Sequence, residues 1–485
     1  MSQKSFYITT TLPYVNAEPH IGFAMEIIRA DVIARFKKSQ GLDVFFNTGT
    51  DEHGQKIFEK ACENNVDVQK YVDKYAENFK NLIPLLGISS DVHFIRTTDE
   101  HHIKSAQEFW KKCEESGDIY KKNYTIKYCV GCELEKTDSE IENGHCVLHP
   151  NMELEIREEE NYFFKFSKYQ KPLLDLYKNN PNFVVPDFRF NEIKAFVERG
   201  LEDFSISRLK SKMSWGIPVP GNPLHVMYVW FDALVNYIST LGWPEDKENF
   251  EKYWTNGNPT QYAGKDNLRQ QSAMWQAMLK SVGLPYSHQI VINGFIQGAN
   301  GQKMSKSLGN VINPTEVVEK YGAEALRYFV CRELSTFEDS DFTWERFKEA
   351  YNSGLANGVG NLTSRIMTMA STNNISYDKD FFNKENDNFV KEYNESMKTF
   401  NLGRAMNAVW SVISWMDKTI QQEEPFKKIK TDKEGGEKII KTLLWDLNLV
   451  SELLGPFMPE TAEKIQKLIK ENKKPIEPLF LRKDA

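Results

Sequence analysis

The sequence lacks the features of membrane and secreted proteins. No run of apolar residues in its 485 positions approaches the roughly 20 residues that a membrane-spanning helix needs. The first residues show neither the charged-then-apolar pattern of a secretory signal nor the Arg- and Ser-rich composition of a transit peptide. Internal repeats are missing as well. These absences favour a cytoplasmic protein that does not bind a membrane.

An excess of basic residues is also missing. The chain has 61 Lys and Arg against 68 Asp and Glu, and its formal net charge is -7. An acidic average does not favour nucleic-acid binding, but it permits the local basic face that such binding needs. The content of 40% hydrophobic and 27% charged residues is that of a globular protein. The length predicts two or three domains.

Cysteine is scarce, and its placement indicates a metal site. Three of the six cysteines, Cys129, Cys132 and Cys146, lie close to His145 and His149 in the sequence. The pattern Cys-x2-Cys-x13-Cys-x2-His is typical of a structural zinc held by three sulfurs and one nitrogen. His145 is an alternative ligand, but the repeated x2 spacing favours His149. The cluster predicts one zinc ion and a reducing compartment rather than disulfides.

The first hundred residues alternate between strand and helix patterns. Residues 6–10 predict a strand, residues 21–36 a helix with one apolar face, and residues 44–46 a second strand. This alternation is typical of the α/β class with a doubly wound, Rossmann-like parallel sheet. Ligands of such sheets bind beyond the carboxyl ends of the strands.

Two short motifs carry groups that suit phosphate. His20 and Gly22 stand where a loop passes into a helix, and the N-terminus of a helix attracts anions. Lys303 and Lys306 belong to the sequence Lys-Met-Ser-Lys-Ser in a glycine-rich stretch. Two such lysines can neutralise the charge of a transferring phosphoryl group. The simple alternatives are a helix-capping histidine and an exposed basic turn.

The two motifs together resemble the HIGH and KMSKS signatures of the class I aminoacyl-tRNA synthetases. They occur in the same order, and the second matches letter for letter. Residues 11–14, 51–54 and 228–233 further resemble the methionyl-tRNA synthetases, and this resemblance covers nearly the whole chain. It implies an enzyme that activates methionine with Mg²⁺-bound ATP and transfers it to tRNA(Met). A monomer is expected.

The resemblance also implies roles for individual residues. The methionine pocket is expected to contain Leu12, Tyr14, Asp51, Trp230, Ala233, Tyr237 and Asn293. ATP is expected to bind His20, Gly22, Gly264, Asp266, Lys303 and Lys306, of which His20 and the two lysines act in catalysis. The anticodon of the tRNA is expected to bind Asn361, Arg365 and Phe426. For Phe426 the alternative is a ring that closes the core of a helical bundle.

Three histidines that the family leads us to expect are replaced by Phe23, Gln271 and Asn293. An amide can still donate a hydrogen bond, whereas a phenyl ring cannot. These departures leave open a second interpretation, a tRNA-binding relative without catalytic activity. A class I synthetase for another amino acid is a third. The methionine-pocket motifs and the shortness of the insertion argue against it.

The chain is expected to divide into five segments. These are residues 1–117, the first half of the catalytic domain; 118–205, a connective insertion with the zinc knuckle; 206–292, the second half of the catalytic domain; 293–350, the KMSKS loop and a linking region; and 351–485, an α-helical anticodon-binding domain. Strand patterns return at residues 225–230 and 289–292, and a helix is expected to begin after Asn313.

Overall fold

The computed structural model describes residues 4–132, 134–136, 140–302, 304, 310–381 and 383–483. The chain forms two compact units. The first consists of Met1–Pro19, Leu42–Asn81 and Asp91–Ile292, and the second of His20–Gly41, Leu82–Ser90 and Asn293–Ala485. No helix in the part of the chain described is long and apolar enough to cross a membrane. The five predicted segments stay a prediction.

The strands are short, apart from two in the insertion. In chain order they are β1 (Ser5–Thr10), β2 (Asp43–Thr50), β3 (His93–Arg96), β4 (Ile119–Cys129), β5 (Leu134–Glu135), β6 (Ile141–Glu142), β7 (His145–Cys146), β8 (His149–Glu153), β9 (Glu155–Phe164), β10 (Val184–Val185), β11 (Phe204–Ser205), β12 (Ser207–Leu209), β13 (Pro218–Val219), β14 (Asn222–Met227), β15 (Thr260–Gly264), β16 (Gln289–Asn293), β17 (Ile296–Gln297) and β18 (Ser340–Asp341).

The longest helices lie in the second unit. In chain order the helices are α1 (Ile21–Ser39), α2 (Gln55–Glu63), α3 (Val68–Lys80), α4 (Leu82–Leu85), α5 (Glu100–Glu115), α6 (Gln170–Asn179), α7 (Asp187–Glu198), α8 (Val229–Leu234), α9 (Asn236–Ser239), α10 (Lys247–Phe250), α11 (Trp275–Ser281), α12 (Pro314–Tyr321), α13 (Ala323–Tyr328), α14 (Trp344–Ala350), α15 (Asn361–Thr372), α16 (Asp387–Lys398), α17 (Leu402–Glu423), α18 (Pro425–Thr431), α19 (Lys433–Leu454) and α20 (Pro459–Glu471).

A six-stranded sheet organises the first unit, with the strand order β10-β16-β15-β1-β2-β3. Strand β1 pairs in parallel with β2 and β15, and β2 pairs in parallel with β3. Every residue of β1 is buried, because both faces of a doubly wound sheet are covered. Gly49 is required in β2, since a Cβ there would lie 1.8 Å from the carbonyl oxygen of Ile95 on β3. The predicted fold class is confirmed.

Three antiparallel sheets lie between residues 119 and 227 of the first unit, in the predicted insertion and directly after it. Strands β4 and β9 pair along almost their whole length and belong to the sheet β11-β9-β4-β5. The short strands β6, β7 and β8 form a second sheet at the Cys/His cluster. A third sheet joins β12, β14 and β13. The strand predicted at residues 225–230 is confirmed only as far as Met227, where β14 ends, because α8 begins at Val229. Strand β14 belongs to this antiparallel sheet and not to the parallel one.

The second unit is mainly helical. Helix α1 begins where predicted, but its buried residues lie on all sides rather than on one face, as in a helix surrounded by protein. The buried Asp31 on α1 accepts hydrogen bonds from Arg327 of α13 at 2.7 Å and from Arg35 at 2.8 Å. Helix α12 begins after Asn313, whose side chain caps it, as predicted.

Candidate functional site

A pocket lies at the carboxyl ends of β1, β2 and β15 in the first unit. It has about 420 Å³ of empty space, which includes open solvent. The residues that line it are Thr11, Leu12, Tyr14, Asp51, Trp230, Ala233, Leu234, Asn236, Tyr237, Asn267, Gln270 and Gln271. The structure thus brings together six of the seven residues predicted for the methionine pocket. Asn293 is not among the lining residues.

The first wall of the pocket consists of the segments that follow β1 and β2. Asp51 comes directly after β2 and is buried. Its backbone N–H donates to Pro13 O at 3.0 Å, and its carbonyl accepts from Val15 N at 3.2 Å. These bonds hold Asp51 beside Tyr14. A buried carboxylate at the wall of a polar pocket suits a cationic partner, because burying a charge alone is costly.

The second wall consists of the short helices α8 and α9. The indole Nε1 of Trp230 on α8 donates to the hydroxyl of Tyr14 at 3.0 Å, so the two aromatic side chains are joined. Ala233 lies one helical turn after Trp230 and also lines the pocket, where its small side chain takes up little of the space. Tyr237 belongs to α9 and is buried. Aromatic edges with a small residue between them suit a flexible thioether side chain.

The third wall follows β15 and contains the replaced histidine position Gln271. Its side-chain amide donates to the Tyr237 hydroxyl at 2.5 Å. A phenol that accepts a hydrogen bond can still donate its own proton to a second acceptor, such as a sulfur. An amide therefore holds the tyrosine in this chain where the family leads us to expect an imidazole.

Several lining residues were not predicted from the sequence: Thr11, Leu234, Asn236, Asn267 and Gln270. Leu234 lies four residues after Trp230, which places both on one face of α8. Helical spacing would have identified it if α8 had been recognised as a helix. The side chain of Asn236 is held by Ala233 O at 2.6 Å, a contact that no sequence pattern indicates.

His20 caps helix α1 in the second unit. Its Nδ1 accepts from the backbone N–H of Gly22 at 3.1 Å, which is the simple alternative considered above. A Cβ at Gly22 would lie 2.9 Å from His20 Cε1, so the glycine makes room for the imidazole. Phe23 is buried. The binding of ATP by His20 and Gly22 stays a prediction.

The other residues predicted to bind ATP lie in two places. Gly264 ends β15, and the exposed carboxylate of Asp266 accepts from the Asn267 side chain at 3.1 Å. Because Asn267 lines the pocket, Asp266 stands next to it. Lys303 and Lys306 lie outside the described residues. The assignment of all four residues to ATP stays a prediction.

Asn293 is buried at the end of β16. Its side-chain amide donates to Gly294 O at 2.8 Å. The role predicted for it in methionine binding has no contact in the described residues to support it and stays a prediction.

Four potential metal ligands converge in the insertion. One ligand atom each from Cys129, Cys132, Cys146 and His149 lies within 4.8 Å of all the others. His149 Nδ1 is 3.1 Å from Cys132 Sγ, whereas His145 Nδ1 is 3.1 Å from Met152 O. The structure therefore places His149 in the cluster and turns His145 to the backbone. Burial raises the pKa of the Cys132 thiol, and a metal ion would bind the thiolate form with release of a proton.

The three residues predicted to bind the anticodon lie on helices of the second unit. Asn361 begins α15, and Arg365 follows one turn later. The Arg365 guanidinium forms an ion pair with Asp417 of α17, and Asp417 also accepts from Gln421 at 2.6 Å. Asp417 and Gln421 were not predicted.

Phe426 on α18 is 44% exposed. This exposure excludes the alternative that its ring closes the core of the helical bundle. Lys427 Nζ lies 5.8 Å from the centre of the ring. An exposed ring beside a cation can stack on an unpaired base, and this role stays a prediction.

Known proteins resemble this chain along nearly its whole length. The family model of class I tRNA synthetases (M) matches residues 6–149 and 131–367, and the model of the anticodon binding domain of methionyl tRNA ligase matches residues 371–478. A methionine–tRNA ligase of Thermotoga maritima is 41% identical over 97% of this chain and 76% of the relative. That of Brucella suis is 38% identical over 96% of this chain and 92% of the relative.

A solved structure is similar over the same extent. The Mycobacterium tuberculosis methionyl-tRNA synthetase in complex with methionyl-adenylate superimposes with a TM-score of 0.88 at 34% identity. The match covers 96% of this chain and 94% of that chain. Sequence models, curated relatives and a whole-chain structural match all lead to the same assignment. The chain belongs to the methionyl-tRNA synthetase family.

Proposed function

We propose that the protein activates methionine with ATP and transfers the methionyl group to tRNA(Met). The observation that carries this proposal is the pocket, where the buried Asp51 carboxylate faces the same space as Trp230 and Tyr237. A carboxylate suits an ammonium group, and aromatic edges suit a thioether. The family relatives named methionine–tRNA ligase, and the relative that holds methionyl-adenylate, support the same function.

In the proposed complex the ammonium of methionine pairs with Asp51, and the side chain lies between Trp230 and Tyr237. Gln271 holds the Tyr237 hydroxyl so that its proton can reach the sulfur. This arrangement distinguishes methionine from leucine, which has no atom to accept that proton. The carboxylate of the substrate is left to react.

The first step is an in-line displacement at the α-phosphorus of ATP. An oxygen of the methionine carboxylate forms the new P–O bond, and the bond to pyrophosphate breaks. No general base is needed, because the carboxylate is already ionised. Positioning and charge stabilisation carry the catalysis. Mg²⁺ bound to ATP neutralises phosphate charge, and the residues proposed to bind ATP are His20, Gly22, Gly264, Asp266, Lys303 and Lys306.

The second step transfers the methionyl group to the 3′ end of the tRNA. The oxygen of the terminal 2′-hydroxyl forms an ester bond to the methionyl carbonyl carbon, the bond from that carbon to the phosphate oxygen breaks, and AMP leaves with the proton of the hydroxyl. We further propose that Asn361 and Arg365 contact anticodon bases and that Phe426 stacks on one of them. This proposal is supported by the position of all three residues at the surface and by the exposed ring of Phe426. The monomeric state stays a prediction.

We also propose that Cys129, Cys132, Cys146 and His149 hold one structural zinc ion. Three sulfurs and one nitrogen fit tetrahedral zinc and leave no open position for catalysis. The metal ion would hold the knuckle together, because its strands β6, β7 and β8 are short. Such a thiol cluster requires a reducing compartment, which supports a cytoplasmic location.

Metal analysis tests the zinc site. The purified protein is expected to contain about one zinc per chain. A His149→Ala variant is expected to lose it, and the matched variant His145→Ala is expected to keep it. Full zinc in the His149 variant would show that another group completes the site.

Pyrophosphate exchange with each amino acid in turn tests the proposed function. Methionine is expected to support exchange of labelled pyrophosphate into ATP, and leucine, isoleucine and valine are not. Exchange driven by another amino acid would identify a different synthetase. If no amino acid drives exchange while tRNA still binds, the protein is a tRNA-binding relative without catalytic activity.

A further inference from the structure

His53 and Asp232 form a buried pair behind the pocket, and neither of them lines it. His53 Nδ1 lies 3.2 Å from Asp232 Oδ2. Within the described part of the chain, neither His53 Nδ1 nor the oxygens of the Asp232 carboxylate make a well-aligned hydrogen bond, with each other or with any other group. Burial of an ionisable pair costs free energy. A contact of this kind at the back of a binding pocket therefore requires an explanation beyond packing.

Both members of the pair are direct neighbours of pocket residues. His53 follows Asp51 by two positions in the turn after β2. Asp232 lies on α8 between Trp230 and Ala233, which both line the pocket. The contact from His53 to Asp232 thus joins the wall that carries the Asp51 carboxylate to the wall that carries the Trp230 ring.

The turn that carries His53 is fixed from its other side. The buried carboxylate of Glu52 accepts from Arg96 Nε at 2.6 Å and from Arg96 Nη2 at 2.8 Å. The carbonyl of Glu52 accepts from Trp215 Nε1 at 2.6 Å, and the Trp215 ring contacts His53 at a centroid distance of 5.7 Å. These contacts hold the turn, and with it His53, in place.

Helix α8 packs into the core through its apolar side, where the buried Phe231 ring contacts Phe109 and Trp110 edge to face. It is only six residues long, and too short to be stable without tertiary contacts. The hydrogen bond from Trp230 to Tyr14 is made by two lining side chains, which a ligand can displace. The contact with Asp232 lies out of reach of a ligand. Burial raises the pKa of Asp232, and the neighbouring His53 opposes this rise.

We propose that His53 and Asp232 are positioning residues for methionine: their contact sets the separation between the Asp51 carboxylate and the wall formed by Trp230 and Ala233. This inference rests on the proposed function. Neither residue touches the substrate. Both ends of methionine bind well only if the two walls stand at the correct separation, because a binding site must be held to a fraction of an ångström.

Direct methionine binding by calorimetry, together with pyrophosphate exchange, tests the pair. His53→Ala and Asp232→Ala are each expected to weaken methionine binding about tenfold. The KM for ATP and the kcat of exchange stay within about twofold, because the reacting groups are unchanged. The double variant is expected to bind methionine no more weakly than either single variant, since both remove the same contact.

Two variants separate positioning from general stability. Asp232→Asn keeps the shape and a hydrogen-bond acceptor for His53, and it is expected to recover most of the affinity lost in Asp232→Ala. It also serves as the test if the alanine variants do not fold. The matched control His225→Ala removes another buried histidine, which contacts Ser207, and it is expected to leave methionine affinity unchanged.

Three results would overturn the inference. One is unchanged methionine affinity in both alanine variants; another is an equal rise in the KM of methionine and ATP; the third is an equal loss in His225→Ala. Failure of the proposed function is recognised separately, as absence of methionine-dependent exchange in the unsubstituted protein. The calorimetric comparison still decides the role of the pair in that event, because it does not depend on the reaction.

Discussion

The pocket and the surface formed by Asn361, Arg365 and Phe426 use polar and aromatic side chains in opposite ways. In the pocket, Asp51 and Tyr237 are buried and held by backbone or side-chain partners. On the helical surface, Phe426 is exposed and Arg365 is half-buried. A small zwitterion must be enclosed to be recognised, whereas a nucleic-acid base must be reached from outside.

The ionic contacts of the two regions differ in strength for the same reason. A partly exposed ion pair such as Arg365 with Asp417 contributes about 0–1 kcal/mol, so the arginine can exchange this partner for a base or a phosphate at little cost. A charged contact made by the buried Asp51 is not screened by water and is worth more. A charged contact is therefore expected to contribute more to binding in the buried pocket than on the helical surface.

Removal of the charge at Asp51 is expected to have the largest effect, and it tests whether the buried pocket depends on charge more than the exposed surface does. We expect Asp51→Asn to weaken methionine binding by about 2–5 kcal/mol, because the ammonium would be buried without its counter-charge. Titration calorimetry with methionine measures this effect. The control is Asp417→Asn, which removes an exposed carboxylate and is expected to leave methionine affinity unchanged. Equal affinity of Asp51→Asn and the unsubstituted protein would show that the ammonium binds elsewhere.

The helical region also contains a buried carboxylate, Asp446, which can be compared with the partly exposed Asp417 and the buried Asp51. Asp446 accepts from Asn386 at 2.7 Å and from Asn383 at 3.1 Å. Burial raises its pKa to about 7, against these hydrogen bonds and with a small contribution from Glu385. The folded protein therefore keeps a proton on Asp446 that the unfolded chain releases near pH 4. Stability accordingly falls as the pH rises from about 4 to about 7.

The expected size of this effect is at most about 4 kcal/mol, since each pKa unit corresponds to about 1.4 kcal/mol. Asp446→Asn stays neutral at every pH and is expected to lack this part of the decline. Hydrogen exchange of the α19 amides between pH 5 and pH 8, corrected for the intrinsic exchange rate, gives the local free energy of opening. The same pH dependence in both proteins would mean that Asp446 ionises normally.

Substitutions on the exposed surface are expected to have the smallest effects. Phe426→Ala should weaken tRNA charging by about 1–3 kcal/mol, the contribution of one base stacked on a ring. Phe426→Trp should be tolerated, because it enlarges the stacking face. Arg365→Ala should reduce charging while methionine-dependent pyrophosphate exchange is unchanged, because adenylate formation does not need the anticodon.

The measurement for these variants compares charging of tRNA with a methionine anticodon and of tRNA altered at the first anticodon base. If Arg365→Ala charges both tRNAs as the unsubstituted protein does, the helical surface does not read that base. A parallel loss of pyrophosphate exchange would instead indicate damage to the fold.

The sequence by itself determined the features that depend on neighbouring residues. The buried aromatic and β-branched residues of β1 predict a strand, and Asn313 before Pro314 predicts the start of α12. The spacing of Cys129, Cys132 and Cys146 indicated the metal cluster, since ligands on tight turns converge whatever surrounds them. The pocket residues that the sequence identified came from the family motifs, not from periodicity.

Only the tertiary structure decided the contacts between distant segments. The sequence pattern at residues 225–230 predicted a strand, and α8 formed inside it, because a short apolar run suits either element until its neighbours are known. The contacts of Gln271 with Tyr237, of His53 with Asp232 and of Asp417 with Arg365 each join residues far apart in the chain. Their distances depend on how the elements pack, and no local pattern of residues encodes that packing.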